Sequence, residues 1–67
     1  MRCIADELEK EREELITKQV RLTNFFDDEK FKSLGAMQQE LLFEQESIML
    51  NYIRVLGKRI RLLKDSH

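Results

Sequence analysis

Apolar residues fall into two helical stretches separated by a polar, aromatic break. Ile4, Leu8, Leu15 and Leu22 recur at multiples of three to four residues, with Ile16 and Val20 on a neighbouring stripe, and predict a first helix over about residues 3–24. The stripe is narrow and interrupted around Glu11 to Glu14, so this helix is marginal alone and must dock on something wider. Around Thr23-Asn24-Phe25-Phe26-Asp27-Asp28 the pattern gives way to capping residue types, with Asp27 or Asp28 placed to cap a short turn through Phe31. The connection over 25–35 carries Phe25, Phe26, Phe31 and Leu34, apolar residues suited to plug the turn end. From about Ala36 to Lys64 there is no proline and one glycine, which predicts a second helix of roughly eight turns.

The second helix is apolar on more than one face. Leu41, Ile48, Tyr52, Val55 and Leu62 follow a heptad-like course, while Leu42, Met49, Ile53, Leu56, Ile60 and Leu63 follow an adjacent one. Phe43 and Leu50 widen the surface further. The thin stripe of the first helix cannot cover all of it, so the excess must meet another copy or another protein. The expected contact between copies is Leu42, Met49, Ile53, Leu56, Gly57, Ile60 and Leu63.

Length sharpens this expectation. At 67 residues the chain is one domain, residues 1–67, and a domain this size struggles to bury enough apolar surface without a staple or a partner. Cys3 is the lone cysteine and His67 the lone histidine, at opposite ends, so neither a disulfide nor a metal site is expected, and no cofactor. A redox or lipidation role for Cys3 competes with an incidental one, and none is assigned to it. Charged residues at 37% match the profile of long helices and coiled coils.

The first helix opens acidic, with Asp6, Glu7, Glu9, Glu11, Glu13 and Glu14, and the second closes basic, with Arg54, Lys58, Arg59, Arg61 and Lys64. Folding back sets these alongside each other and places each set at the favourable end of its helix dipole. The expected fold is all-α: an antiparallel two-helix hairpin with a long second helix, assembling into a homo-oligomeric helical bundle. No apolar run approaches the roughly 20 residues that span a bilayer, and Met1-Arg2-Cys3-Ile4 leads into acidic residues instead of a signal-peptide core. A soluble, cytoplasmic protein without membrane contact is expected.

No nucleophile with a nearby base, Gly-rich phosphate loop or paired histidines is present, so no enzyme is expected. Glu40 and Glu44 lie one turn apart but read as solvated face. Arg54, Lys58 and Arg61 share one helical face at intervals of four and three, with Arg59 and Lys64 close by and Tyr52 at the start of the segment. Guanidinium groups hold phosphate bidentately and a tyrosine ring stacks on a base, which makes Tyr52, Arg54, Lys58, Arg59 and Arg61 a candidate ligand site. Salt bridging to the acidic opening of the first helix is the competing reading. Gly57, costing roughly 1 kcal/mol against alanine in a helix, marks close helix approach or room for a ligand. Gln38, Gln45, Ser47 and Asn51 put polar groups on or beside apolar faces, where such residues fix register or, alternatively, read a base edge.

The course Phe31, Leu34, Leu41-Leu42, Gln45, Met49, Tyr52, Leu56 and Arg59-Ile60 resembles that of short proteins encoded by tailed bacteriophages, including the crAss-like phages, over about residues 4 to 63. Where that family follows the leucine with a serine and acidic residues capping the second helix, this chain has Gly35-Ala36-Met37. The resemblance implies a small accessory protein acting in an infected bacterial host. By analogy at the level of fold, it implies a helical oligomer that counters host defence by sequestering a nucleotide immune signal, a cyclic or adenosine-derived nucleotide. The alternative is a helical protein whose apolar face, for example Phe43, Leu50 and Ile53, docks on and inhibits a host defence protein. A DNA-binding accessory factor is the weakest reading, because the net charge of −1 gives no general attraction to nucleic acid.

Overall fold

The computed structural model describes residues 3–65; Met1, Arg2, Ser66 and His67 lie outside it. The described chain is all-α, with the order α1 (Ile4–Phe25), α2 (Glu29–Lys32) and α3 (Ala36–Asp65), and no strand among the described residues. The connection expected over 25–35 therefore contains one short helix of its own.

Local chemistry sets the ends of these elements. Cys3 takes the extended N-cap conformation of α1 without a side-chain cap, and Asp6 and Glu7 occupy the first turn, where the exposed N–H groups favour negative charge. Between the two aspartates that precede α2, Asp28 is the cap: its backbone is extended and its Oδ1 accepts from the Lys30 N–H at 2.8 Å. Asp28→Ala is expected to cost about 1 kcal/mol and, in a domain this small, to lower the melting midpoint by roughly 4–8 °C, with Asp27→Ala as the silent control. Past α2, the Gln39 side-chain amide donates to the carbonyls of Phe31 at 3.1 Å and Leu34 at 3.0 Å, tying the short helix and the turn after it to the first turn of α3.

The buried and half-buried positions repeat every seven residues on both long helices. On α1 they include Ala5, Leu8, Arg12, Leu15, Gln19 and Leu22; on α3 they are Gln39, Leu42, Glu46, Met49, Ile53, Leu56, Ile60 and Leu63, with Gly57 beside them. This is the a/d spacing of a coiled-coil seam. Contacts pair in reverse order along it: the Glu9 carboxylate with the Lys64 ammonium, Arg12 with Ile53, Gln19 with Glu46.

The seam holds two apolar clusters. One joins Leu8, Leu56 and Ile60, with Leu15 and Leu63 packed against them, and Leu56 is fully buried. The other closes the turn end, where Phe31 is buried among Phe25, Phe26 and Phe43, with ring centroids 4.7–5.8 Å apart. Phe43 belongs to α3, so the plug gathers rings from all three helices. Between the clusters lies a polar layer. Gln19 Nε2 donates to the Glu46 carboxylate at 3.4 Å and to Thr23 Oγ1 at 2.8 Å, and the Thr23 hydroxyl donates to Glu46.

The result is a rod of 50 × 17 × 14 Å. Its radius of gyration, 15.4 Å, exceeds the roughly 11 Å of a compact domain of this length. Its accessible surface of 5540 Å² compares with about 4,500 Å² for a compact monomer of the same mass.

Candidate functional site

The face of α3 expected to meet another copy is occupied within the chain itself. Ile53, Leu56 and Ile60 are buried, and Leu42, Met49, Gly57 and Leu63 half-buried, along the seam with α1. The reason is complementarity of spacing: the heptad of Leu8, Leu15 and Leu22 on α1 matches this course on α3. The stripe left open is its neighbour. Leu41, Ile48, Tyr52, Val55 and Leu62 are all exposed, with Ile48 at 62% and Leu62 at 70%. On the opposite flank Phe43 and Leu50 are exposed as well.

The candidate ligand residues divide between two faces of α3. Tyr52 and Arg59, seven residues apart, share the open stripe. There the Tyr52 hydroxyl donates to the Glu11 carboxylate, which, together with partial desolvation and the Glu11 charge, raises its pKa above the usual phenol value; Arg59 acts in the opposite direction. Arg54, Lys58 and Arg61 project from the solvent side. Arg54 donates to Asn51 Oδ1 at 2.7 and 3.2 Å, and Arg61 approaches Asp65 at 3.9 Å, both within α3. Lys64 pairs with Glu9, which raises its pKa. Of the basic residues at this end of α3, only Lys64 forms an ion pair with the acidic opening of α1 among the described residues. The cationic face of Arg54, Lys58 and Arg61 is thus turned to solvent, away from the helix that was expected to neutralise it.

The polar residues singled out on α3 are peripheral. Gln38, Gln45, Ser47 and Asn51 are exposed. The amides that organise the chain are Gln19 and Gln39, both on seam positions, and the same seven-residue count that finds Leu8, Leu15 and Leu22 would have found Gln19 and Arg12.

Arg12 explains Gly57. Its Nε donates to the Ile53 carbonyl at 3.2 Å, using a lone pair that the α3 ladder leaves free. The guanidinium reaches that carbonyl by crossing Gly57, where an added Cβ would stand 3.2 Å from Arg12 Nε. The glycine therefore admits a side chain of the same protein. Gly57→Ala should gain about 1 kcal/mol of helix propensity and lose a comparable hydrogen bond, for a net change near zero. In an Arg12→Ala background the same substitution should recover the full gain, so a double-mutant cycle by chemical denaturation is expected to give a coupling of about 0.5–1 kcal/mol.

An open cleft of about 400 Å³ lies beside this crossing, lined by Glu9, Arg12, Glu13, Gly57 and Ile60. Its two carboxylates, Glu9 and Glu13, oppose an anion there. Among the described residues, no group of three or more His, Cys, Asp or Glu is placed to hold a metal ion, and no helix is long and apolar enough to cross a membrane.

Compared with known proteins, the chain matches the model of the Sequestin family over residues 4–62. The chain belongs to the Sequestin family. The match takes in all of α1, the whole connection and α3 through the exposed Leu62, so the open stripe and every seam position but Leu63 lie inside it. The name of the Sequestin family points to sequestration. No curated protein and no solved structure matches the chain.

Proposed function

We propose that this member of the Sequestin family is a phage-type accessory protein that counters host defence by capturing a small anionic nucleotide signal, cyclic or adenosine-derived, in the cytoplasm of an infected bacterial host. It acts as a homo-oligomer of antiparallel two-helix hairpins and works by mass action, lowering the free signal without turning it over. The observation that carries the assembly is the surplus surface. The single chain exposes roughly 1,000 Å² more than a compact monomer of its mass, about what one partner contributes to a stable interface, and the excess includes the exposed heptad course of Leu41, Ile48, Val55 and Leu62 on α3.

Charge supports the ligand class. Arg54, Lys58 and Arg61 form a solvent-facing cationic face, with Tyr52 and Arg59 a quarter-turn or more away on the open stripe. The cationic face is therefore the surface that holds phosphate, while Tyr52 and Arg59 lie on the stripe left for the neighbouring copy.

The test is calorimetric titration of cyclic dinucleotides and adenosine-derived nucleotides into the intact protein and into the Arg54→Ala/Lys58→Ala variant. Loss of two charge-assisted phosphate contacts should weaken capture by at least about 100-fold while the assembly keeps its size. Unchanged binding would remove these residues from the site, and loss of assembly would return them to a structural role.

A further inference from the structure

We infer that the open stripe of α3 is the surface on which a second copy of this chain docks, and that the two α3 helices cross it in opposite directions about a two-fold axis near Tyr52. The inference rests on the oligomeric reading above and specifies which surface and which orientation it uses.

Three observations converge on that arrangement. The stripe is itself a heptad course: Leu41, Ile48, Val55 and Leu62 stand seven residues apart, with Gln45, Tyr52 and Arg59 between them, all exposed. It is a second coiled-coil seam lying beside the one already filled by α1. Formal charge on α3 is also segregated by half. Between Ala36 and Ile53 every charged residue is acidic, namely Glu40, Glu44 and Glu46; from Arg54 to Lys64 every one is basic. A parallel pair of α3 helices would set acid on acid and base on base, whereas an antiparallel pair sets Glu44 of each copy beside Arg59 of the other and opposes the helix dipoles favourably. Finally, the midpoint of the stripe and the boundary between the acidic and basic halves fall in the same turn, around Asn51 and Tyr52. One two-fold axis therefore satisfies the apolar and the ionic match together.

Orientation is tested by cysteine cross-linking in a Cys3→Ser background, with Leu41→Cys and Leu62→Cys made separately. Both sites are more than half exposed in the single chain, so neither change disturbs the internal seam. Under mild oxidation a mixture of the two variants is expected to form the Leu41→Cys to Leu62→Cys cross-link, while neither variant cross-links to itself. Self-cross-linking of each variant alone would show a parallel pair and overturn the inference. So would the absence of any cross-link in a protein that sedimentation shows to be oligomeric, which would place the interface on another face and leave the oligomeric reading standing. A monomer by sedimentation would remove both. As a second measurement, Glu44→Arg and Arg59→Glu are each expected to weaken self-association by about tenfold, and the two combined in one chain to restore it.

Discussion

Replacing Leu56 by alanine is expected to remove about 3 kcal/mol of folding stability, the largest loss from any single truncation in the chain. Among the described residues Leu56 is the one fully buried side chain, and it sits where Leu8, Leu15, Ile60 and Leu63 converge. Truncation leaves a cavity that a two-helix seam cannot collapse around, so the transfer and cavity terms both apply. For a domain of this size that is a large share of the whole stability. The change should appear in denaturant unfolding followed by helical circular dichroism, with most of the helix signal lost at concentrations where the parent chain is folded. A comparable loss from Leu62→Ala, at 70% exposure, would contradict the seam described here.

The second large effect is expected from Ile48→Asp, and it should fall on assembly instead of fold. Ile48 is 62% exposed in the single chain, so the substitution changes local stability by about 0.5 kcal/mol or less. At an interface between two copies it forfeits about 2 kcal/mol of apolar burial on each side, together about 4 kcal/mol, and leaves a carboxylate facing apolar surface. The dissociation constant should rise by roughly a thousandfold. Sedimentation equilibrium reads this directly. An oligomer of unchanged size and affinity would show that the open stripe of α3 is not where the copies meet.

The helical class and the two apolar courses on the second helix can be read from periodicity alone, because a 3.6-residue repeat in a proline-free, charge-rich chain has few other solutions. Which course faces α1 could not be read in the same way. That assignment turns on Arg12 and Gln19, polar residues at seam positions, which made the stripe of the first helix look thinner than it is. Arg12 is tolerated there because its guanidinium crosses Gly57 to the Ile53 carbonyl, an arrangement that depends on two residues 45 positions apart in the chain. Gln39 is similar: its partners are the carbonyls of Phe31 and Leu34, which the short helix and the turn after it bring within reach. The basic residues show the converse. Spacing of four and three correctly groups Arg54, Lys58 and Arg61 on one face, and Arg59, one residue past Lys58, turns instead to the Tyr52 stripe, a division that matters only once the neighbouring helix is in place.

Native mass spectrometry of the freshly purified protein, incubated with a host extract filtered to small molecules, tests the central claim most directly. The account predicts a defined oligomer carrying a nucleotide-sized adduct, with the adduct lost in the Arg54→Ala/Lys58→Ala variant. A well-folded monomer, or an oligomer that stays bare across extracts containing the signalling nucleotides, would contradict it.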